Sequence, residues 1–247
     1  MKSIIIIPAR MASERLPGKP LIEVGGRTLI EYTYDAAKQT KADYVLVTSP
    51  DREITKYCAR HDMPSFPSSR EGCPTGTHRV AEVFNRMKEV NKCDVIINWQ
   101  CDEVLANPED VNSLIDAVSE HEEIATIAAP TPMEEFGRDT NRVKVRVSDV
   151  TKRCLDFSRW WTPSAMEHVG IYAYTRQALE TIYEWAPTHL ATLESLEQLA
   201  WLEGGISITA VVIDKAPLAI NTHRDLAEFK RIVESAEVNT DSDSLLG

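Results

Sequence analysis

The chain has 247 residues with 27 basic and 38 acidic side chains, a net charge of −11; that is length enough for one large α/β domain with a full core, and the wrong sign of charge for a general nucleic-acid binder. Its five cysteines, Cys58, Cys73, Cys93, Cys101 and Cys154, are odd in number and widely spaced, which argues against a disulfide framework or a C-x-x-C zinc site and fits a reducing cytosol. No apolar run approaches the roughly 18 residues of a membrane span, and the first strand begins too early for a charged-then-apolar leader, so a cytoplasmic chain with no membrane partner is expected.

In chain order, Ile4-Ile5-Ile6-Ile7-Pro8 predicts a strand over 3–8 buried on both faces, the usual state of a central strand in a parallel sheet. It feeds directly into the loop from Ala9 to Leu21. That loop carries three permanent cations, Arg10, Arg15 and Lys19, the hydroxyl of Ser13, and a Pro17-Gly18 turn that lets the cations converge on one polyanion. Ligands of such sheets collect where the strands end, and a triphosphate is the obvious guest. Two standard phosphate motifs are excluded: Ser13 stands where a P-loop needs its first Gly and Pro20 where its Ser or Thr should follow, and no G-x-G-x-x-G occurs. The anion is therefore held mainly by side chains.

Further strands are predicted near 44–49, 94–99, 124–129, 168–174 and 206–213, and helices near 28–40, 51–61, 77–90, 108–121, 175–184, 193–203 and 223–236. Asn107-Pro108 and Thr222-x-x-Asp225 are start signals for two of the helices. This alternation predicts an α/β fold with a mostly parallel central sheet and helices on both faces, a single domain over 1–238. Between about 131 and 168 the alternation breaks: Val143 to Val147 and Leu155 to Ser158 flank a turn at Ser148-Asp149 and read as an inserted β-hairpin. The polar tail 239–247 is expected to be frayed.

Three segments carry chemistry. Asn98-Trp99-Gln100-Cys101-Asp102-Glu103 places an amide and two carboxylates at a strand's carboxyl end, where a carboxylate can hold Mg²⁺ against phosphate oxygens; a strand-ending turn with a capping acid is the plainer alternative. In Thr75-Gly76-Thr77-His78-Arg79 a glycine at a helix start lets backbone N–H groups approach a ligand, and the helix dipole favours an anion there, while His78 alone reads as an exposed helix histidine. Leu193-Glu194-Ser195-Leu196-Glu197-Gln198-Leu199 reads as an amphipathic helix with Glu194 and Glu197 on one face and Leu193, Leu196 and Leu199 packed inward.

The pattern P-A-R-x-x-S-x-R-L-P-G-K-P-L of Pro8 to Leu21 resembles the signature of the cytidylyltransferases that activate sugar acids, most closely those acting on 3-deoxy-manno-octulosonate (Kdo). The segment from Asn98 is similar to the family's V-Q-G-D-E-P box, with Cys101 replacing Gly and Val104 replacing Pro; Thr75 to Glu82 is similar to S-G-T-E-R-x-A-E, Arg159 falls in an F-S-R element, His168 to Tyr174 matches H-I-G-I-Y-A-Y and Leu193 to Leu199 matches I-E-S-L-E-Q-L. The resemblance implies a nucleotide-diphospho-sugar transferase-like fold and CMP transfer from CTP to a sugar acid with release of pyrophosphate. It also implies Mg²⁺ on Asp102, a homodimer formed through the hairpin, and a place in lipopolysaccharide biosynthesis. Carried over residue by residue, Ala9, Arg10, Ser13, Arg15, Lys19, Thr75, Gly76, Thr77 and Arg79 would bind the nucleotide, and Gln100, Arg159, His168, Tyr172 and Glu194 the acceptor. Arg10, Lys19 and Asp102 would be catalytic.

The family's late V-D-T-x-x-D-L segment appears here as Ile220-Asn221-Thr222-His223-Arg224-Asp225-Leu226, so Asn221 replaces a metal-binding aspartate with a dipole, and Asp225 reads as a capping-box residue first. The connection 160–167 is shorter than the family's, and its Trp160-Trp161 pair suits a stacking wall, a dimer contact or local packing. These departures motivate two alternatives: a paralogue that activates a different acid, such as an amino-substituted or shortened sugar acid or a phosphonate, and a CTP-binding protein without turnover.

Overall fold

Ile4 to Ile7 form the interior of β1 (Ser3–Pro8), all four almost completely enclosed. In the computed structural model, which describes residues 1–244 apart from 14, 70–72, 74, 121–122, 133 and 135–136, β1 pairs in parallel with β4 (Tyr44–Ser49) on one side and β6 (Val95–Trp99) on the other. Its side chains alternate between two cores. Ile4 and Ile6 pack with Val80 and Phe84 of α3 (Gly76–Arg86) and Leu179 of α5 (Arg176–Tyr183). Ile5 and Ile7 pack with Ile30 of α1 (Leu29–Lys38), Ile54 of α2 (Arg52–Arg60) and Leu114 of α4 (Pro108–Glu120). A strand buried on both faces reads as an unbroken apolar run because each face has its own helical layer, and each fully buried isoleucine contributes about 1.5–3 kcal/mol.

Among the described residues the main sheet has nine strands, with the path β11-β7-β10-β6-β1-β4-β5. Its remaining members are β5 (Ser65–Pro67), β7 (Ile124–Ala129), β8 (Lys144–Val147), β9 (Cys154–Ser158), β10 (Ala165–Thr175) and β11 (Ile208–Val212). β10 runs antiparallel to both β6 and β7, and the other pairs along this path are parallel. It is longer than the predicted 168–174, because its first residues pass a bulge between Val169 and Tyr172 and continue against β8. β8 and β9 are the expected hairpin. A ribbon of β2 (Glu23–Val24) and β3 (Arg27–Thr28) lies outside the sheet.

The predicted helix 193–203 is a correction. It is two helices, α6 (His189–Glu194) and α7 (Gln198–Glu203), separated by Ser195 in the left-handed region at φ 53°. The 3.6-residue period therefore does not carry through: Leu193 is 70% exposed while Leu196 and Leu199 are buried, and Glu194 and Glu197 do not share a helix face. The last helix, α8 (His223–Ser244), runs past its predicted end at 236 and through most of the tail expected to fray. No Gly or Pro interrupts 237–244, and the Asn, Thr, Asp and Ser there each cost only about 0.7 kcal/mol or less in propensity. Residues 245–247 of that tail lie outside the described residues. No helix among the described residues is long and apolar enough to cross a membrane.

Two features of this frame position a site. The chain leaves β1 toward β4 while β6 lies on the opposite side, which makes the carboxyl ends of β1 and β6 a topological switch point where crevices open. Beside it a third apolar cluster, Leu16, Val24, Leu29, Val104, Ile220, Leu226 and Phe229, clamps the loop after β1, the segment after β6 and the start of α8 together.

Candidate active site

The loop after β1 is shaped by its own backbone. Met11 accepts hydrogen bonds from the N–H groups of Ser13 and Gly18, both at 3.0 Å, and donates its own N–H to Asp51 Oδ2 at 2.8 Å. Closing that ring puts Gly18 at φ 70°, a conformation that costs any L side chain roughly 1–2 kcal/mol. Lys19 follows at the start of a single 3-10 turn, Lys19–Leu21. Its Nζ donates to Asp102 Oδ2 at 2.7 Å and to the Ile220 carbonyl at 3.0 Å, with only about 15% of the side chain exposed. The Ile220 N–H in turn donates to the Asp102 carbonyl at 2.9 Å, so the strand end bearing Asp102 and the segment bearing Asn221 lie side by side.

Arg10 is exposed at the end of β1. Arg15, also exposed, donates to Asn141 Oδ1, in the segment that leads into β8. Its charge bears on Arg159, whose pKa is held below the ordinary guanidinium value first by burial and then by Arg15. Arg159 donates Nε to the Glu194 carbonyl at 2.7 Å, Nη1 to the Thr140 carbonyl at 3.0 Å and Nη2 to the Ser195 carbonyl at 3.1 Å. A guanidinium has five N–H groups, so two remain for a ligand. Lys144, 1% exposed, braces Arg159 from behind by donating to the carbonyls of Asp139, Arg142 and Arg159.

Gln100 is half-buried just after β6 and meets β10 at Gly170. A Cβ at Gly170 would lie 3.1 Å from Glu103 Oε1 and 3.4 Å from Gln100 Cδ, so the absence of a side chain is what allows both groups to gather there. Glu103 accepts from the Gly170 N–H at 2.9 Å through Oε1, and its buried Oε2 has no partner among the described residues. Burial and then the Asp102 charge push its carboxyl up to about 8.

Not every predicted site residue faces the crevice. Thr75 caps α3, accepting from the His78 N–H at 3.3 Å, and Thr77 is buried with its hydroxyl donating to Glu197 Oε1 at 2.8 Å. The positive end of α3 is thus already matched by a protein carboxylate, so this turn suits an uncharged part of a ligand better than the phosphate expected from the helix dipole. Gly76 still presents backbone, packed 3.6 to 3.7 Å (from the position of an added Cβ) against Asn98 and Pro8 at the strand ends. Buried Arg79 spends its donors on Ser68 Oγ at 2.8 Å, the Ser69 carbonyl at 3.0 Å and the Cys73 carbonyl at 3.5 Å, which ties those three residues to α3. Ala9 extends the β1–β4 ladder, its N–H donating to the Thr48 carbonyl at 2.9 Å.

His168 and Tyr172 belong to the interior of β10. The Thr126 hydroxyl donates to the Ile171 carbonyl at 2.8 Å, so at its 2.9 Å contact with His168 it must accept, which fixes the Nε2–H tautomer. Burial pushes His168 down to about 3, and its ring packs edge-on against Phe157. Tyr172, 2% exposed, is ringed by His168, Tyr174 and Trp201. Trp160 and Trp161 are exposed. Asp225 accepts from the N–H groups of Asn221 and Thr222 at 2.9 and 2.7 Å, the capping box expected of it. Sequence reasoning gave no site role to Glu103, Glu197, Asn98 or Lys144. A polar Asn98 inside the apolar run Val95 to Trp99 was the one visible signal.

A family model of cytidylyltransferases matches residues 4–208. The 3-deoxy-manno-octulosonate cytidylyltransferase of Koribacter versatilis (strain Ellin345) is 36% identical, covering 95% of this chain and 91% of that protein. That of Nitrobacter hamburgensis (strain DSM 10229 / NCIMB 13809 / X14) is 32% identical over 96% and 95% of the two chains. A solved structure of CMP:2-keto-3-deoxy-manno-octonic acid synthetase complexed with CTP superposes with a TM-score of 0.87 at 28% identity, over 96% of this chain and 100% of that one. A cytidylyltransferase from Leptospira borgpetersenii serovar Hardjo-bovis (strain JB197), 17% identical with a TM-score of 0.62, has the same fold. A cation-bearing loop after the first strand, a carboxylate at the end of the neighbouring one, and a family match running through both assign the chain to the cytidylyltransferase family.

Proposed function

We propose that this enzyme transfers CMP from CTP to a sugar acid, Kdo or a close analogue, and releases pyrophosphate. The observation that carries this reading is the 2.7 Å pairing of Lys19, from the loop after β1, with Asp102, just past the end of β6. The names of the Koribacter and Nitrobacter relatives supply the acid and favour neither a different acceptor nor loss of turnover. The dimer and the cytoplasmic location belong to the same reading, supported by family likeness and by the five free cysteines.

The acceptor hydroxyl, the anomeric one if the acid is Kdo, attacks the α-phosphorus in line. The new O–P bond forms as the bond to the β-phosphate oxygen breaks, pyrophosphate leaves, and the hydroxyl proton passes to solvent. Catalysis of this kind is mostly positioning and charge neutralisation. Arg10, Arg15 and Lys19 neutralise the triphosphate, and Lys19 does so from a fixed position because two acceptors hold its ammonium. Ser13 and Ala9 line the loop, and the turn at Thr75, Gly76 and Thr77 meets the nucleoside. Arg79 acts through Ser68 and Ser69, which it ties to α3. Arg159 offers its two remaining N–H groups to the acid's carboxylate, while Gln100 and Glu194 hold its hydroxyls. His168 and Tyr172 shape the floor from within β10.

Mg²⁺ fits the donor set as an ion that arrives with its nucleotide. Lys19 engages only Oδ2 of Asp102, leaving Oδ1 for a cation, and no cluster of three or more potential ligands forms a cage among the described residues. When bound, it would neutralise phosphate charge and polarise the reacting phosphoryl group.

Phosphorus NMR of the enzyme with CTP, Mg²⁺ and Kdo tests the reading. The triphosphate signals should give way to one phosphodiester and pyrophosphate; CDP and inorganic phosphate, or unchanged CTP, would overturn it.

A further inference from the structure

Glu197 has no role in the chemistry above, yet its half-buried side chain is bonded to the N-terminal turn of α3. The Thr77 hydroxyl donates to its Oε1 at 2.8 Å. Thr77 Oγ1 lies 3.0 Å from the Tyr174 hydroxyl and 3.4 Å from Asn98 Nδ2. A threonine hydroxyl has one proton, and the carboxylate takes it, so Tyr174 and Asn98 both donate toward Thr77. The network is directed: Asn98 and Tyr174 to Thr77, and Thr77 to Glu197.

The same short segment faces the acceptor side. Two residues before Glu197, the carbonyl of Ser195 accepts from Arg159 Nη2, and the carbonyl of Glu194 accepts from Arg159 Nε. The Arg159 N–H donates to Glu194 Oε2 at 3.3 Å. Between these contacts Ser195 is held at φ 53° and ψ 46°, a strained conformation for a non-glycine residue that persists only where its surroundings over-determine it. The junction of α6 and α7 is thus gripped on one side by the arginine that meets the acid and on the other by the turn that meets the nucleotide.

Building on the functional reading above, we propose that Glu197 is a positioning residue that couples acceptor binding at Arg159 to the order of the Thr75–Thr77 turn, so that CTP and the sugar acid bind synergistically. An acid that engages the two remaining N–H groups of Arg159 immobilises the guanidinium, and with it the carbonyls of Glu194 and Ser195. Glu197 is then fixed against Thr77 before the nucleotide must order that turn, so the second ligand loses less freedom than the first.

The test is calorimetric CTP binding without divalent cation, in the absence and presence of saturating Kdo, alongside KM, kcat and Tm for the wild type, E197A, E197Q, T77V, T77S and the T77V/E197A double variant. The wild type should bind CTP at least about fivefold tighter with Kdo present. E197A and T77V should each bring that ratio to about 1 and raise KM for CTP roughly tenfold, with the double variant no worse than either single one, because both break one contact. E197Q and T77S, which keep the acceptor and the hydroxyl, should each retain most of the wild-type gain in CTP affinity on adding Kdo. A wild-type ratio of 1, additive effects, or variants that lower Tm while leaving the ratio and both KM values unchanged would overturn the proposal. Absence of turnover by the wild type would instead overturn the functional reading, and the binding ratio would still decide the coupling.

Discussion

Replacing Lys19 by Met keeps most of the side-chain volume and removes the ammonium that Asp102 and the Ile220 carbonyl share. Asp102 keeps only 17% of its side chain exposed, so its carboxylate would be left partly desolvated without a partner. That costs roughly 1–3 kcal/mol, and the lost bond to Ile220 costs about 1 kcal/mol more. Denaturant unfolding of K19M should therefore show a loss of about 2–4 kcal/mol. Replacing Asp102 by Asn as well removes the charge in need of compensation, so K19M/D102N should regain at least about 1 kcal/mol relative to K19M. Activity should behave differently. A fixed cation facing charge that develops on the transferred group is worth about 10²–10³ in rate. K19M should lose that much in kcat/KM, and the double variant should recover none of it because Asp102 has its own task. Steady-state pyrophosphate release with CTP and Kdo is the assay. A K19M enzyme within threefold of wild type, or a double variant whose activity returns with its stability, would refute the assignment of Lys19 to chemistry.

Gly18→Ala should cost about 1–2 kcal/mol and lower Tm by several degrees, since the added methyl meets only the end of Met11 at 3.6 Å and the penalty is that of φ 70°; an unchanged Tm would show that the loop relaxes freely. Asn221→Asp adds a charge beside Asp102 and should lower the half-saturating Mg²⁺ concentration roughly fivefold, read from a magnesium titration of turnover, and an unchanged titration would remove Asn221 from the metal's surroundings. His168 titrates near 6.5 when unfolded and about 3 when folded, so the unfolded chain binds the extra proton between those values. Its share of stability is complete above about pH 6.5 and falls toward pH 3, by at most ~1.4 kcal/mol per pH unit. Urea midpoints measured between pH 7 and pH 4.5 should drop less steeply for His168→Gln than for wild type; parallel slopes would contradict the burial of a neutral ring.

The parts of the fold legible in the sequence are those whose signal is local. Four consecutive isoleucines could only be a doubly buried strand, and Thr222 with Asp225 forms the capping box its spacing announced. The orientation of β10 was not legible, because apolar alternation is the same in parallel and antiparallel strands. The break at Ser195 was hidden since a lone serine is a weak turn signal and the leucine spacing fits a continuous helix; the Arg159 guanidinium that bonds its carbonyl comes from 36 residues away. In the site, the loop cations and Asp102 were legible as a motif, but Lys144, Glu103 and Glu197 were not. Their roles depend on which carbonyls, amides and hydroxyls surround a buried charge, and only the folded chain brings those together.

The most direct test of the account is pyrophosphate release by the purified protein with Mg²⁺, Kdo and each of CTP, UTP and ATP in turn, repeated with a panel of other acids. Release with CTP and Kdo, and little with the other nucleotides or acids, is the predicted result. Silence with Kdo beside clear turnover with another acid, or equal turnover with UTP, would contradict it.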